Sequence, residues 1–223
     1  MAADGGDGRG LVGISTRIFV DFWNFQLNWN DRAGESRCDW KKLPSVLLEQ
    51  AHDLLQQVGI TDALELEETL VHASVKAGPS EAPLRGWLTS FLDKQPSVRV
   101  KIRQRRVRDA WVWCKTCEEK VTQCPKCETP FQRAPEKGVD AAIVTDLLTL
   151  AWERAFDVAI VLSSDADLIP AVERVQERGL KVINAAWAGH GYELAHTCWG
   201  QFPLDSVIGL LTRPGVTGPS AHA

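Results

Sequence analysis

Thirteen residues, Val158-Ala-Ile-Val-Leu-Ser-Ser-Asp-Ala-Asp-Leu-Ile-Pro170, restrict this chain more than any other stretch. Val158–Leu162 is short, apolar and rich in β-branched side chains, which predicts a buried parallel strand. Ser163, Ser164, Asp165 and Asp167 follow at once, and then an amphipathic helix with Leu168, Ala171, Val172 and Val175 at helical spacing. Pro170 falls in the first turn, where its missing N–H costs nothing, and Gly179 closes the helix. A strand that passes directly into a helix is a unit of a parallel α/β sheet, and such sheets bind ligands beyond the carboxyl ends of their strands. Asp165 and Asp167 are therefore placed where chemistry happens. A helix cap accounts for one of these aspartates but not for both.

A second strand of the same kind is Arg17-Ile-Phe-Val-Asp21, which ends in an acid and is followed by Phe22-Trp-Asn24-Phe. The Asn24 amide can orient a carboxylate or a phosphate. The plainer reading of Asp21 is a turn residue at a strand end. Residues 29–40 read as a polar loop. Residues 43–58 read as a helix, with Leu47, Leu48, Ala51, Leu54, Leu55 and Val58 on one face and Gly59 at the stop. Residues 68–76 form the next strand, and its His72 is taken as structural. Residues 84–92 form a short helix that buries Trp87, Leu88, Phe91 and Leu92.

Val98-Arg-Val-Lys-Ile-Arg-Gln-Arg-Arg-Val-Arg108 is the strongly basic segment of a chain whose net charge is −4. Val98, Val100 and Ile102 alternate with Arg99, Lys101 and Arg103, as in a strand, and Arg105 continues the charge. A charged edge strand explains this pattern. So does a phosphate grip, because repelling cations need a counter-charge. Trp111 and Trp113 follow at alternate positions and can stack on bases or seat the next segment.

That segment is Cys114-Lys-Thr-Cys117 followed, after six residues, by Cys124-Pro-Lys-Cys127. Two CxxC pairs at this spacing predict a structural Zn²⁺ with four thiolate ligands in a zinc knuckle or ribbon spanning residues 109–135. Cys38 and Cys198 have no such partners and read as buried thiols.

Pro135-Glu-Lys137-Gly138-Val139-Asp140 opens a helix that runs to about residue 154, centred on Leu147 with Ile143, Val144, Leu150 and Ala151. At 100° per residue, Asp140 lies within about 20° of that centre and points at the sheet; Asp146 lies about 100° away, at the edge of the stripe. Lys137 can contact phosphate or remain solvated. Residues 181–185 form a fifth strand, and residues 189–211 are expected to supply covering helices.

The alternation of strands and helices predicts an α/β fold with a doubly wound, Rossmann-like parallel sheet and the small zinc-binding insert. The domain is expected to span residues 15–211, between a disordered residue 1–14 segment and a flexible residue 212–223 tail. Met1–Gly13 lacks the apolar core of a secretory leader and no run is long enough to span a membrane, so neither export nor a membrane partner is expected. The clustered cysteines point to a reducing compartment, and the cytoplasm is the expected location. Most of the nine tryptophans are expected to pack as core or cover.

Asp21, Asp140, Asp165 and Asp167 should converge at the carboxyl edge of the central strands. Carboxylates gathered there repel one another and raise one another's pKa unless cations lie between them, and oxygen ligands select Mg²⁺ or Mn²⁺. Beside a basic strand, such a site suits phosphodiester hydrolysis. A haloacid-dehalogenase type phosphatase is excluded because Trp23 stands where its second acid is needed. Dinucleotide binding is excluded because no Gly-rich turn follows the first strand.

Val20-Asp21-Phe-Trp-Asn24, Lys137-Gly138-Val139-Asp140 with Asp146, and Ser163-Ser164-Asp165-Ala166-Asp167 resemble the motifs of NYN domain proteins, the LabA-like branch of the PIN-type nucleases. The resemblance covers residues 17–185. It implies a PIN-like fold, a Mg²⁺- or Mn²⁺-dependent ribonuclease, the four aspartates as metal ligands, and Asn24 and Ser163 as supporting site residues. Arg99, Lys101, Arg103, Arg105 and Lys137 are the candidate RNA contacts. The bulky Phe22-Trp23 stands where the family often has smaller residues and is expected to narrow the site. The zinc insert lies outside the common domain and could add substrate contacts, a protein partner or a homo-oligomer contact. A non-catalytic NYN module that binds RNA or protein, and a nuclease acting on DNA, are the alternatives.

Overall fold

The computed structural model describes residues 13–213. The expectations for residues 1–12 and 214–223 lie outside the described residues. The chain alternates as the pattern requires: β1 (Ile14–Asp21), α1 (Phe22–Ala33), α2 (Leu43–Gln57), β2 (Leu64–Lys76), α3 (Ala82–Ser90) and β3 (Val98–Arg105). A small arm follows, made of β4 (Arg108–Asp109), β5 (Val112–Cys114), β6 (Glu119–Val121) and β7 (Gln132–Arg133). Then come α4 (Val139–Trp152), β8 (Val158–Leu162), α5 (Ile169–Glu177), β9 (Lys181–Ala186), α6 (Tyr192–Thr197), β10 (Gly200–Pro203) and α7 (Ile208–Leu211).

The main sheet has six parallel strands in the order β10-β9-β8-β1-β2-β3. From β1 the chain winds outward through β2 to β3; after the arm it re-enters at β8, on the other side of β1, and winds outward again. The winding therefore reverses between β1 and β8. At such a reversal the two crossovers leave on opposite faces and open a crevice at the carboxyl edge.

Alternation along the strands sorts side chains into two layers. Ile18, Val20, Val71, Ala73, Val75, Ile160 and Leu162 face α1, α2 and α3. Phe19, Leu70, Ala159 and Val161 face α4 and α5. Both faces of the sheet are covered, as a parallel sheet requires.

Several boundaries differ from the sequence reading. The supposed loop of residues 29–40 is in large part α1, whose Phe22, Phe25 and Trp29 are buried at helical spacing amid polar residues. Phe25 packs on Trp40 at 5.2 Å and on Trp187 at 5.6 Å between ring centroids. Full burial of each such ring stabilises by about 2–3 kcal/mol, which outweighs the low helix preference of the asparagines around it. Val58 caps α2 and is 60 % exposed rather than on the buried face. Residues 189–211 contain β10 as well as helices. Gly200-Gln-Phe-Pro has too few apolar residues to show alternation, and it becomes a strand by pairing with β9. Both ends of the domain are tied down: Ile14 already pairs with Leu64, and Thr212 bridges to Cys38. Cys38 and Cys198 are buried thiols, as expected.

Candidate active site at the reversal of the sheet

Asp21 ends β1, and Ser163 follows the last residue of β8, so both sit at the reversal. Parity places Asp21 on the α4 face with Phe19. The register continues this row: Asp21 pairs with His72 of β2, and His72 with Lys101 of β3. Ser163, Asp21, His72 and Lys101 therefore cross four adjacent strands beneath α4.

A chain of hydrogen bonds fixes the ends of β1 and β8 to each other. Asn24 N–H donates to Asp21 Oδ1 at 3.1 Å, so Asp21 caps α1. Asn24 Oδ1 accepts from Ser164 N–H at 3.1 Å. Ser163 Oγ–H donates to Asp21 Oδ2 at 3.4 Å and accepts from Asp165 N–H at 3.2 Å. Asp165 Oδ1 in turn accepts from Asp167 N–H at 2.9 Å. The plain capping readings of Asp21 and Asp165 are thus true, yet each cap uses one carboxylate oxygen. Asn24 and Ser163 are the links of this chain.

Two contributors carry no motif of their own. Asn184, buried in β9, donates from Nδ2 to the carbonyls of Val161 and Ser163 at 3.1 and 3.0 Å, which holds the end of β8. Gly191 presses on the serine loop: a Cβ there would lie 2.6 Å from Ser164 Cα, and its φ of +67° favours glycine.

The electrostatics show which acids share this edge. Burial first, and then the charges of Glu136, Asp140 and Asp165, push the Asp21 carboxyl up to about 6 against the backbone hydrogen bond from Asn24. Burial, Asp165, Glu136 and Asp167 raise Asp140 likewise. Asp21, Asp140 and Asp165 are thus mutual neighbours, Asp167 is exposed at their rim, and Glu136 joins them. Glu136 was missed because it precedes α4 and helical phase says nothing about it. Among the described residues no three His, Cys, Asp or Glu side chains, at this edge or in the arm, close tightly enough around one point to hold a metal ion. The donor set is all oxygen, which suits a hard divalent cation.

Asp146 points at the same row from α4. Its Oδ2 accepts from Lys101 Nζ at 2.7 Å and lies 3.3 Å from His72 Nε2. His72 is buried, and burial outweighs Asp146 in lowering it to about 4, so it is neutral at pH 7. His72 therefore has the companions the sequence did not reveal. Phe22 does not narrow this edge, because its ring lies in the opposite layer, stacked on Trp40 at 5.5 Å. Trp23 donates from Nε1 to the Ser74 carbonyl at 2.7 Å.

The basic strand is an edge strand whose cations mostly have partners. Arg99 pairs with Glu68 at 2.8 Å, Lys101 with Asp146, and Arg105 with Glu81 at 2.8 Å. Arg103 has no ion-pair partner among the described residues, nor has the exposed Lys137.

In the arm, the two CxxC turns are alike. Each is followed by a residue with left-handed backbone, Glu118 at φ 53° and Glu128 at φ 56°. N–H groups of Cys117 and Thr116 are aimed at the Cys114 sulfur and lower it to about 7. The Thr129 hydroxyl, and then its N–H, lower Cys127 as well. Hydrogen-bond donors that favour the thiolate are the chemistry of a zinc knuckle, so these pairs could hold zinc.

The comparisons agree with this architecture. The NYN domain family model matches residues 16–204. The structure resembles that of a protein of unknown function from Vibrio parahaemolyticus, VPA0982, with a TM-score of 0.51 and 16 % identity over 86 % of this chain and 93 % of that one. At that identity the likeness concerns the fold alone. A stretch of 47 residues is 45 % identical to uncharacterized protein y4oD of Sinorhizobium fredii, spanning 21 % of this chain and 22 % of that protein. The chain belongs to the NYN domain family, a family of predicted PIN-like ribonucleases. No helix among the described residues is long and apolar enough to cross a membrane.

Proposed function

We propose that the protein is a metal-dependent ribonuclease that hydrolyses RNA phosphodiester bonds at the reversal of the sheet. The observation that carries this reading is the gathering of Asp140 and Asp165 about Asp21, with Asp167 at the rim: Ser163 Oγ links Asp21 to the Asp165 backbone, and Asp21 and Asp140 are both raised by burial and by their acidic neighbours. A Mg²⁺ or Mn²⁺ ion held by these four carboxylates would activate water and stabilise charge on the phosphate oxygens. The other residues serve this set. Asn24 and Ser163 fix the two strand ends, and Asn184 and Gly191 hold the serine loop from behind. Asp146 neutralises Lys101, whereas Arg103 and Lys137, without an ion-pair partner among the described residues, can contact phosphate. The arm holds one structural Zn²⁺ through Cys114, Cys117, Cys124 and Cys127.

The test is cleavage of end-labelled single-stranded RNA and DNA with Mn²⁺, with Mg²⁺ and with EDTA, beside the Asp165→Asn variant. RNA should be cut with metal only, and not by the variant. Cleavage by Asp165→Asn as fast as by the parent would move the active site elsewhere.

A further inference from the structure

The arm presents cations and aromatic rings that the acidic edge does not use. Arg108 and Arg133 are direct partners across the β4–β7 ribbon, so both side chains stand on one face. Like charges at that position destabilise a ribbon only two residues long. Neither arginine has a carboxylate within ion-pair distance among the described residues. Arg133 Nη2 donates only a long bond, 3.4 Å, to the carbonyl of Trp111. Arg108, Arg133 and Trp111 line a groove of about 220 Å³ together with Asp109, Ala110 and Pro135; Asp109 is next to Arg108 in β4 and so points to the other face of the ribbon. An anion placed there would relieve the repulsion and accept from both guanidinium groups.

Beside the groove, the β5–β6 hairpin exposes rings. Trp111 and Trp113 are each 48 % exposed. Lys120 is the cross-strand partner of Trp113 and sits 5.0 Å from the centre of the Trp111 ring. Of the seven other tryptophans, Trp23, Trp29, Trp40, Trp87 and Trp187 are buried or half-buried, and Trp152 and Trp199 are exposed singly on the main domain; Trp111 and Trp113 are the two exposed close together. Paired cations next to open indole faces match a sugar-phosphate backbone with unstacked bases. The arm leaves the sheet at the end of β3 and returns at the start of α4, and both points lie at the carboxyl edge that carries the acids.

We propose that the outer face of the cysteine arm is the protein's binding surface for single-stranded RNA, with Trp111 and Trp113 stacking on bases and Arg108 and Arg133 holding one phosphate between them. The choice of RNA over other anionic polymers rests on the nuclease reading above. Most of the affinity then comes from the arm, because three of the four cations of β3, Arg99, Lys101 and Arg105, are engaged by Glu68, Asp146 and Glu81.

The experiment measures binding of a fluorescent 20-nucleotide U-rich RNA and of an RNA duplex. It uses the full chain carrying Asp165→Asn, without added Mg²⁺ or Mn²⁺, so that cutting cannot enter. Trp111→Ala with Trp113→Ala should weaken single-strand binding by roughly fivefold to a hundredfold per ring. Trp111→Phe with Trp113→Phe should restore most of it. Arg108→Ser with Arg133→Ser should flatten the slope of log affinity against log salt by about 0.7, for the one phosphate the pair holds. Parent-like affinity in the alanine pair, failure of the phenylalanine pair to bind, or equal affinity for the duplex would each overturn the proposal. RNA that is cut by the parent but bound unchanged by the arm variants sinks this inference and leaves the nuclease. Arm-dependent binding by a protein that cuts nothing does the reverse.

Discussion

The acidic edge and the cysteine arm are both sites built from a few polar residues, yet they are held in opposite ways. Asp21 ends a strand whose Ile18, Phe19 and Val20 are fully buried, and Asp140 starts a helix anchored by Ile143 and Leu147. The core positions these carboxylates even at an electrostatic cost, which the raised Asp21 makes visible. The arm has strands of two or three residues and no buried side chain between Arg106 and Gly138. Backbone turns around sulfur take the place of a core there. Sites supported by a core tolerate repulsion; a site without one needs its ligand to exist.

The largest effect expected from breaking this comparison is on cleavage. Asp165→Asn should lower the rate at least about a hundredfold, the scale of one preorganised group in a site, and leave the melting temperature near that of the parent. A coupled loss of fold and activity would show that Asp165 is structural.

Asp21→Asn should stabilise the metal-free protein at pH 7, by up to about 3 kcal/mol from the displacement of its pKa. The sign follows from a folded value near 6 above the ordinary 3.8. Stability from that proton is full below about 4 and is lost as pH rises through 6. His72 acts oppositely: lowered from 6.5 to about 4, it costs stability as pH falls through that window. In the parent the two trends offset each other. In Asp21→Asn, denaturant melts between pH 6.5 and 4 should show stability falling with acid more steeply than in the parent. Parallel curves would contradict the buried placement of both groups.

Gly191→Ala sharpens the comparison from outside the motifs. A Cβ 2.6 Å from the Ser164 backbone must move the serine loop, and the positive φ adds strain, together about 1–3 kcal/mol. Thermal unfolding and cleavage should both fall, whereas Gly86→Ala, inside α3 with open space around it, should leave cleavage unchanged and raise stability by about 0.5–1 kcal/mol.

The smallest effect on the core should come from the arm. Cys117→Ser, or zinc removal by a chelator, should abolish amide protection in residues 108–133 and shift global stability by less than about 1 kcal/mol. Hydrogen exchange resolves the two regions. Cooperative loss of protection in β1 and β8 would show that the arm is part of the core after all.

The sequence by itself was enough for the strand ends that carry Asp21 and Asp165, the inward phase of Asp140 and the paired cysteine turns. Each of these is set within a few residues, by alternation, helical angle or ligand spacing. Helix α1 escaped because its buried stripe of Phe22, Phe25 and Trp29 is narrow and interleaved with asparagines. Only the tertiary structure decided that His72 and Lys101 continue the Asp21 row, because strand register is fixed by packing between segments distant in the chain. It alone gave Arg99, Lys101 and Arg105 their carboxylate partners, which a charge pattern read along one strand cannot reveal. It also brought Asn184 and Gly191 against the Ser163-Ser164 loop, since close approach between backbones depends on how the layers pack and leaves no local mark.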